Sequence, residues 1–88
     1  KERVYSVLIV SAAENFNTAL SELLPSSTFS PTHTVSDINT AKRILAERAF
    51  DFVIINSPLP DDPGIRFAID ACAGKGTVVL LFIRADIH

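Results

Sequence analysis

Four short apolar runs, each separated from the next by a segment of helical periodicity, constrain this 88-residue chain more than any other feature. Val4 to Val10, rich in Val and Ile, predicts a strand buried on both faces. Phe16, Ala19, Leu20 and Leu23 then recur at helical spacing, with Ser21 and Glu22 turned outward, and Pro25-Ser26-Ser27 ends that segment. Phe29 to Val35 is a poorer strand, polar at Ser30, Thr32, His33 and Thr34, and its Pro31 suits the edge of a sheet. Ser36 is a good N-cap, Asp37 favours a first helical turn, and Ile38, Ala41, Ile44 and Leu45 form an apolar stripe. Asp51 to Ile55 predicts the third strand, and beyond a proline-broken loop Ile65, Ala68, Ile69 and Cys72 repeat at helical spacing up to Gly74. Thr77 to Ile83 predicts a fourth strand.

Strict alternation of strand and helix implies an α/β fold in three layers, a parallel sheet covered on both faces and joined by right-handed crossovers. The length allows one domain with a modest core. With 48% apolar and 20% charged residues the chain reads as globular, and a formal charge of −2 gives no general attraction for nucleic acid or anionic membrane. The longest apolar run, Val78 to Ile83, is far short of the roughly 20 residues of a membrane-spanning helix. Lys1 to Ser6 is polar and the apolar stretch after it short, so no secretory signal is expected, and a cytoplasmic domain fits. A single cysteine rules out an internal disulfide framework and a multi-cysteine zinc site, and Cys72 is expected as a small buried hydrophobe.

In sheets of this class ligands bind beyond the carboxyl ends of the strands, which here fall near Ser11, Asn56 and Arg84. Other features read more plainly. Gly74-Lys75-Gly76-Thr77 lacks the upstream glycine of a phosphate-binding loop and precedes a strand, so a turn is expected. Asp61-Asp62 is expected to be a solvated turn. His33 sits alone on the poor strand, His88 is terminal, and neither has partners at metal-ligand spacing. No histidine lies near Ser11 in the inferred layout, so a nucleophilic triad has little support.

Several segments together resemble the receiver domain of response regulators, a chemotaxis-type, flavodoxin-like domain, over essentially the whole chain. Leu8-Ile9-Val10-Ser11-Ala12 matches a pattern in which an apolar strand is followed by two acidic residues. Asn56-x-x-Leu59-Pro60-x-x-x-Gly64 keeps the Leu-Pro and glycine of the phosphorylation loop, with Asn56 at the phosphate-accepting position. Ala41 to Arg48 and Ala49-Phe50-Asp51 resemble the second helix and its run into the third strand, and Arg84-Ala85 stands where the family has a Thr/Ser-Ala pair. Ile55-Asn56-Ser57-Pro58-Leu59-Pro60 looks most like receivers attached to ANTAR domains, RNA-binding modules of transcription antitermination.

The resemblance implies strand order 2-1-3-4 and an incomplete receiver spanning residues 1–88, lacking a fifth strand with its lysine-proline pair and a last helix. The chain starts without methionine and ends after a strand-like segment, and is read as a piece of something longer. It also implies an atypical, phosphorylation-incompetent module. Asn56 offers a neutral amide where an anionic nucleophile attacks phosphorus. Ser11 supplies one weak neutral oxygen and Ala12 none where two carboxylates would hold Mg²⁺, so magnesium binding is expected to be weak or absent, though Glu14 or Asp61 could in principle reach inward. Arg84 replaces the switch hydroxyl and is expected either as a permanent positive charge paired with Asp61 or Asp62, or as a solvated arginine. The implied partners are proteins: an output domain, a second receiver, and a second copy at the uncovered edge of Val78 to Phe82. A flavodoxin-like enzyme or small-molecule-binding domain using the same crevice is the alternative, disfavoured by the lack of a glycine-rich first loop, a catalytic dyad and a metal set. Deamidation of Asn56-Ser57, restoring an acid, is a third possibility.

Overall fold

The computed structural model describes residues 4–57, 59–73 and 76–83. Its elements follow the order β1 (Tyr5–Val10), α1 (Glu14–Leu23), β2 (Phe29–Val35), α2 (Ile38–Glu47), β3 (Phe52–Ser57), α3 (Ile65–Cys72) and β4 (Val78–Ile83). The four strands form one parallel sheet in the order β2-β1-β3-β4, as the resemblance implies. Leu8, Val10, Val53 and Ile55 turn to the face covered by α2 and α3, where they meet Ile38, Ala41, Phe67 and Ala68. Val7, Ile9 and Ile54 turn to the other face and meet Phe16, Leu20 and Leu24 at the α1 side. Period-2 alternation in central strands buried on both sides thus produces the three layers.

The two edge strands differ. In β2, Ser30 to Thr34 are all exposed and Pro31 removes a donor from the ladder, so this edge discourages further pairing. In β4 exposure alternates, with Val79 and Leu81 packed inward while Val78, Leu80 and Phe82 are 45 to 49% exposed. At the amino ends of the strands Tyr5 and Phe29 each meet Phe52 edge to face and lie tilted against one another, and Asp51 accepts from the Ser6 N–H at 3.0 Å while its own N–H donates to Ser6 Oγ. This end of the sheet is closed by packing, which leaves the opposite end for a site.

Three local expectations are corrected. Leu23 lies 73% exposed and Leu24, just past the helix, packs against the sheet instead, because the chain turns back towards β2 there. Asp37, not Ser36, is the N-cap of α2, its carboxylate accepting from the Thr40 N–H at 2.9 Å. On α3 the inward stripe is Phe67 and Ala68, while Ile65 and Ile69 are 50 and 60% exposed and Cys72 is exposed rather than a buried hydrophobe. Both stripes of this helix are apolar, so periodicity cannot choose between them. The start of the helix at Gly64 turns the larger aromatic ring of Phe67 to the core. Gly74 and Lys75 lie outside the described residues, and Gly76, at φ +79°, enters β4 through Thr77, which fits the turn expected there.

Ile55→Ala should therefore cost about 2–5 kcal/mol, whereas Ile69→Ala should stay within about 0.5 kcal/mol. Urea midpoints at unchanged slope measure both.

Candidate functional site

The parallel register pairs Val10 with both Val35 and Ile55, so the next residues on two neighbouring strands, Ser11 and Asn56, come side by side at the carboxyl end of the sheet. Ser11 is fully buried, and its N–H continues the ladder to the Val35 carbonyl at 2.8 Å. Its Oγ accepts from the Ala13 N–H at 3.1 Å and, at a long 3.4 Å, from Asn56 Nδ2. Ala12 is exposed and brings no polar side-chain atom. Asn56 is still within β3, opposite Phe82 of β4, on the face where Phe82 meets Phe16 of α1 edge to face at 5.4 Å.

Asn17, which the sequence reading passed over, completes this group. From α1 its Nδ2 donates to the Ser11 carbonyl at 3.2 Å, and its buried Oδ1 has no hydrogen-bond partner among the described residues. Its place one turn into the helix after the strand end is the signal that could have found it. Ser11, Asn56 and Asn17 are all neutral. Arg84 lies outside the described residues, so its expected pairing with Asp61 or Asp62 does too.

The loop beyond Asn56 is fixed from several sides. Leu59 is buried and its N–H donates to the Asp62 carbonyl at 2.9 Å, Pro60 is exposed, and the Gly64 N–H donates to Asp62 Oδ1 at 2.7 Å. Gly64 has φ +89°, a left-handed conformation that L side chains avoid, and a Cβ there would stand 3.2 Å from Ile55 Cγ2 and 3.4 Å from Ile38 Cδ1. Asp61 is exposed and Asp62 accepts from the Gly64 N–H two residues on, in keeping with the solvated turn expected there, but Asp61 also has a distant partner. Asp61 reaches across to α2, where its two oxygens accept from the Ile38 N–H at 2.9 Å and the Asn39 N–H at 3.0 Å. The Ile38 bond above all holds the Asp61 carboxyl below the ordinary range, against the opposing effect of desolvation and with lesser help from the Asn39 bond and the charge of Lys42.

A magnesium ion of the type the receiver resemblance implies wants several anionic oxygens. These residues do not fit one. Ser11 Oγ already accepts two hydrogen bonds, Asn56 turns its amide nitrogen inward, and both oxygens of Asp61 are engaged at α2. Among the described residues no three His, Cys, Asp or Glu side chains converge in a way that could hold a metal ion.

No family model and no curated protein matches the sequence. Among solved structures, an aspartate-to-alanine mutant of the response regulator MaeR bound to sulfate superposes with a TM-score of 0.80 at 26% identity, over 94% of this chain and 70% of that one. The fold is that of a response-regulator receiver. No helix among the described residues is long and apolar enough to cross a membrane.

Gly64→Ala should lower stability by about 1–2 kcal/mol through the left-handed backbone, with the close approach to Ile55 adding to it. Chemical denaturation measures the loss, and an unchanged midpoint would remove Gly64 from the loop's scaffold.

Proposed function

We propose that this receiver-like chain is phosphorylation-incompetent, a cytoplasmic signalling module of a two-component response regulator that acts through protein contacts and not as an enzyme. The observation that carries the reading is the pairing of Asn56 with Ser11, an amide at the acceptor position donating to a hydroxyl at the acidic-pair position. An acyl phosphate needs a carboxylate nucleophile and a metal to gather charge on the phosphoryl oxygens. Here nucleophile and metal ligands are replaced together at Ser11, Ala12 and Asn56, and two of the replacements, Asn56 and Ser11, bond to one another. The match to MaeR, a response regulator, supports the receiver part of this reading. In the same reading the output is transcriptional, by antitermination through a domain of the ANTAR type, on the strength of the likeness of Ile55 to Pro60.

Thermal-shift titration with Mg²⁺ and beryllofluoride tests the incompetence. No saturable rise in Tm is expected, and a Mg²⁺-dependent, saturable rise would overturn the reading. The combined variant Ser11→Asp, Ala12→Asp, Asn56→Asp is expected to be less stable than the parent without metal, because clustered carboxylates repel, and to recover stability with Mg²⁺. Indifference of that variant to Mg²⁺ would count against these positions as the site.

Association is the second part of the proposal. β4 stands at the edge of the described sheet with Val78, Leu80 and Phe82 exposed on one face, and carries neither the proline nor the polar residues that guard β2. A second copy pairing at this edge would satisfy its backbone N–H and C=O groups and set its own side chains alongside these. Light scattering at high concentration is expected to give a dimer and Leu80→Lys a monomer, whereas a monomeric parent would count against the edge as an interface.

A further inference from the structure

We propose that Asp61 couples the loop beside Asn56 to the first turn of α2, so that displacing either loosens the other. The first three N–H groups of a helix have no partner within it. In α2 the third, of Thr40, is satisfied by the helix's own N-cap Asp37. The first two, of Ile38 and Asn39, are satisfied by Asp61, which lies more than twenty residues away in the sequence. A carboxylate is the suitable group, because it offers an oxygen to each N–H and its charge opposes the positive end of the helix dipole.

An apolar contact runs beside this polar one. Ile38, the first residue of α2, has its Cδ1 3.4 Å from where a Gly64 Cβ would lie, and Leu59 Cδ2 stands 3.5 Å from the same point. Asp61 is thus held between two residues of its own loop that pack near Ile38, the residue its carboxylate caps. Asp62 fixes the loop internally through Leu59 and Gly64, so a force on the loop is carried as a unit to the end of α2. The charged groups around the contact are Asp37 and Lys42 on α2 and Asp62 in the loop.

This differs from ordinary capping, in which Asp61 would stabilise α2 alone. Amide hydrogen exchange by NMR separates the two. In Asp61→Ala, exchange at Asn39 and at Leu59 is expected to rise together, by about fivefold, the factor for loss of one cap. Leu59 is the diagnostic amide, since its acceptor is the Asp62 carbonyl and not Asp61. A pH titration of the parent gives a second readout that does not depend on how that variant folds. The Asp61 carboxyl ionises at lower pH in the folded than in the unfolded chain, so its stabilisation is complete above the unfolded value of about 3.9 and is lost as pH falls through the folded one. The shifts of the Ile38, Asn39 and Leu59 amides should move with one common midpoint, and Asp61→Asn should abolish it at all three. If Leu59 keeps its parental exchange and shift while α2 changes, the coupling is overturned and Asp61 is a helix cap only.

Discussion

Parallel pairing of β1 with β3 fixes which side chains can meet at the end of this sheet, and a slip of one residue would turn every side chain of β3 to the opposite face. Val53 and Ile55 would then leave the side of α2 and α3, and Ile54 the side of α1. The buried alternation therefore makes the register costly to change, and the register alone sets Ser11 beside Asn56. Their contact is a consequence of burying apolar residues earlier in both strands. The site inherits its geometry from the core.

Chemistry at that point is a separate matter. Carboxylates gathered there would repel one another and favour a cation, which ties the state of the fold to what is bound. Ser11, Asn56 and Asn17 instead satisfy part of each other's hydrogen-bonding capacity without charge. A neutral network of this sort holds the end of the sheet together without gathering like charges there.

The strands and the polar edge at β2 were legible in the sequence because each rests on local composition, Val and Ile runs and a proline, whereas the strand order came from the receiver resemblance. The facing of α3 was not legible. Ile65, Ile69 and Cys72 make as good an apolar stripe as Phe67 and Ala68, and only the left-handed start at Gly64 decides between them. The reach of Asp61 to α2 was not legible for a different reason, since adjacent acids before a proline look like a turn and the groups that bind Asp61 come from a distant helix. At the candidate site, the positions of Ser11 and Asn56 followed from the strand ends, while Asn17 escaped because its role depends on how α1 leaves β1. Contacts between elements are what the local pattern does not carry.

The same distinction explains how a loop can keep its shape when its chemistry changes. Gly64, Leu59 and Asp61 each act in folding: a left-handed turn packed on Ile55, a buried side chain, and a pair of bonds to α2. Substituting any of them disturbs packing or capping whatever the domain does. Ala12 is exposed and Asn56 only half-buried, so neither anchors the packing of the loop. Ser11 is the exception, being fully buried, and there a neutral hydroxyl that accepts from the Ala13 N–H avoids the cost of burying a charge. Selection on folding alone would therefore preserve the scaffold around Asn56 and favour an uncharged Ser11, which is the combination this chain has.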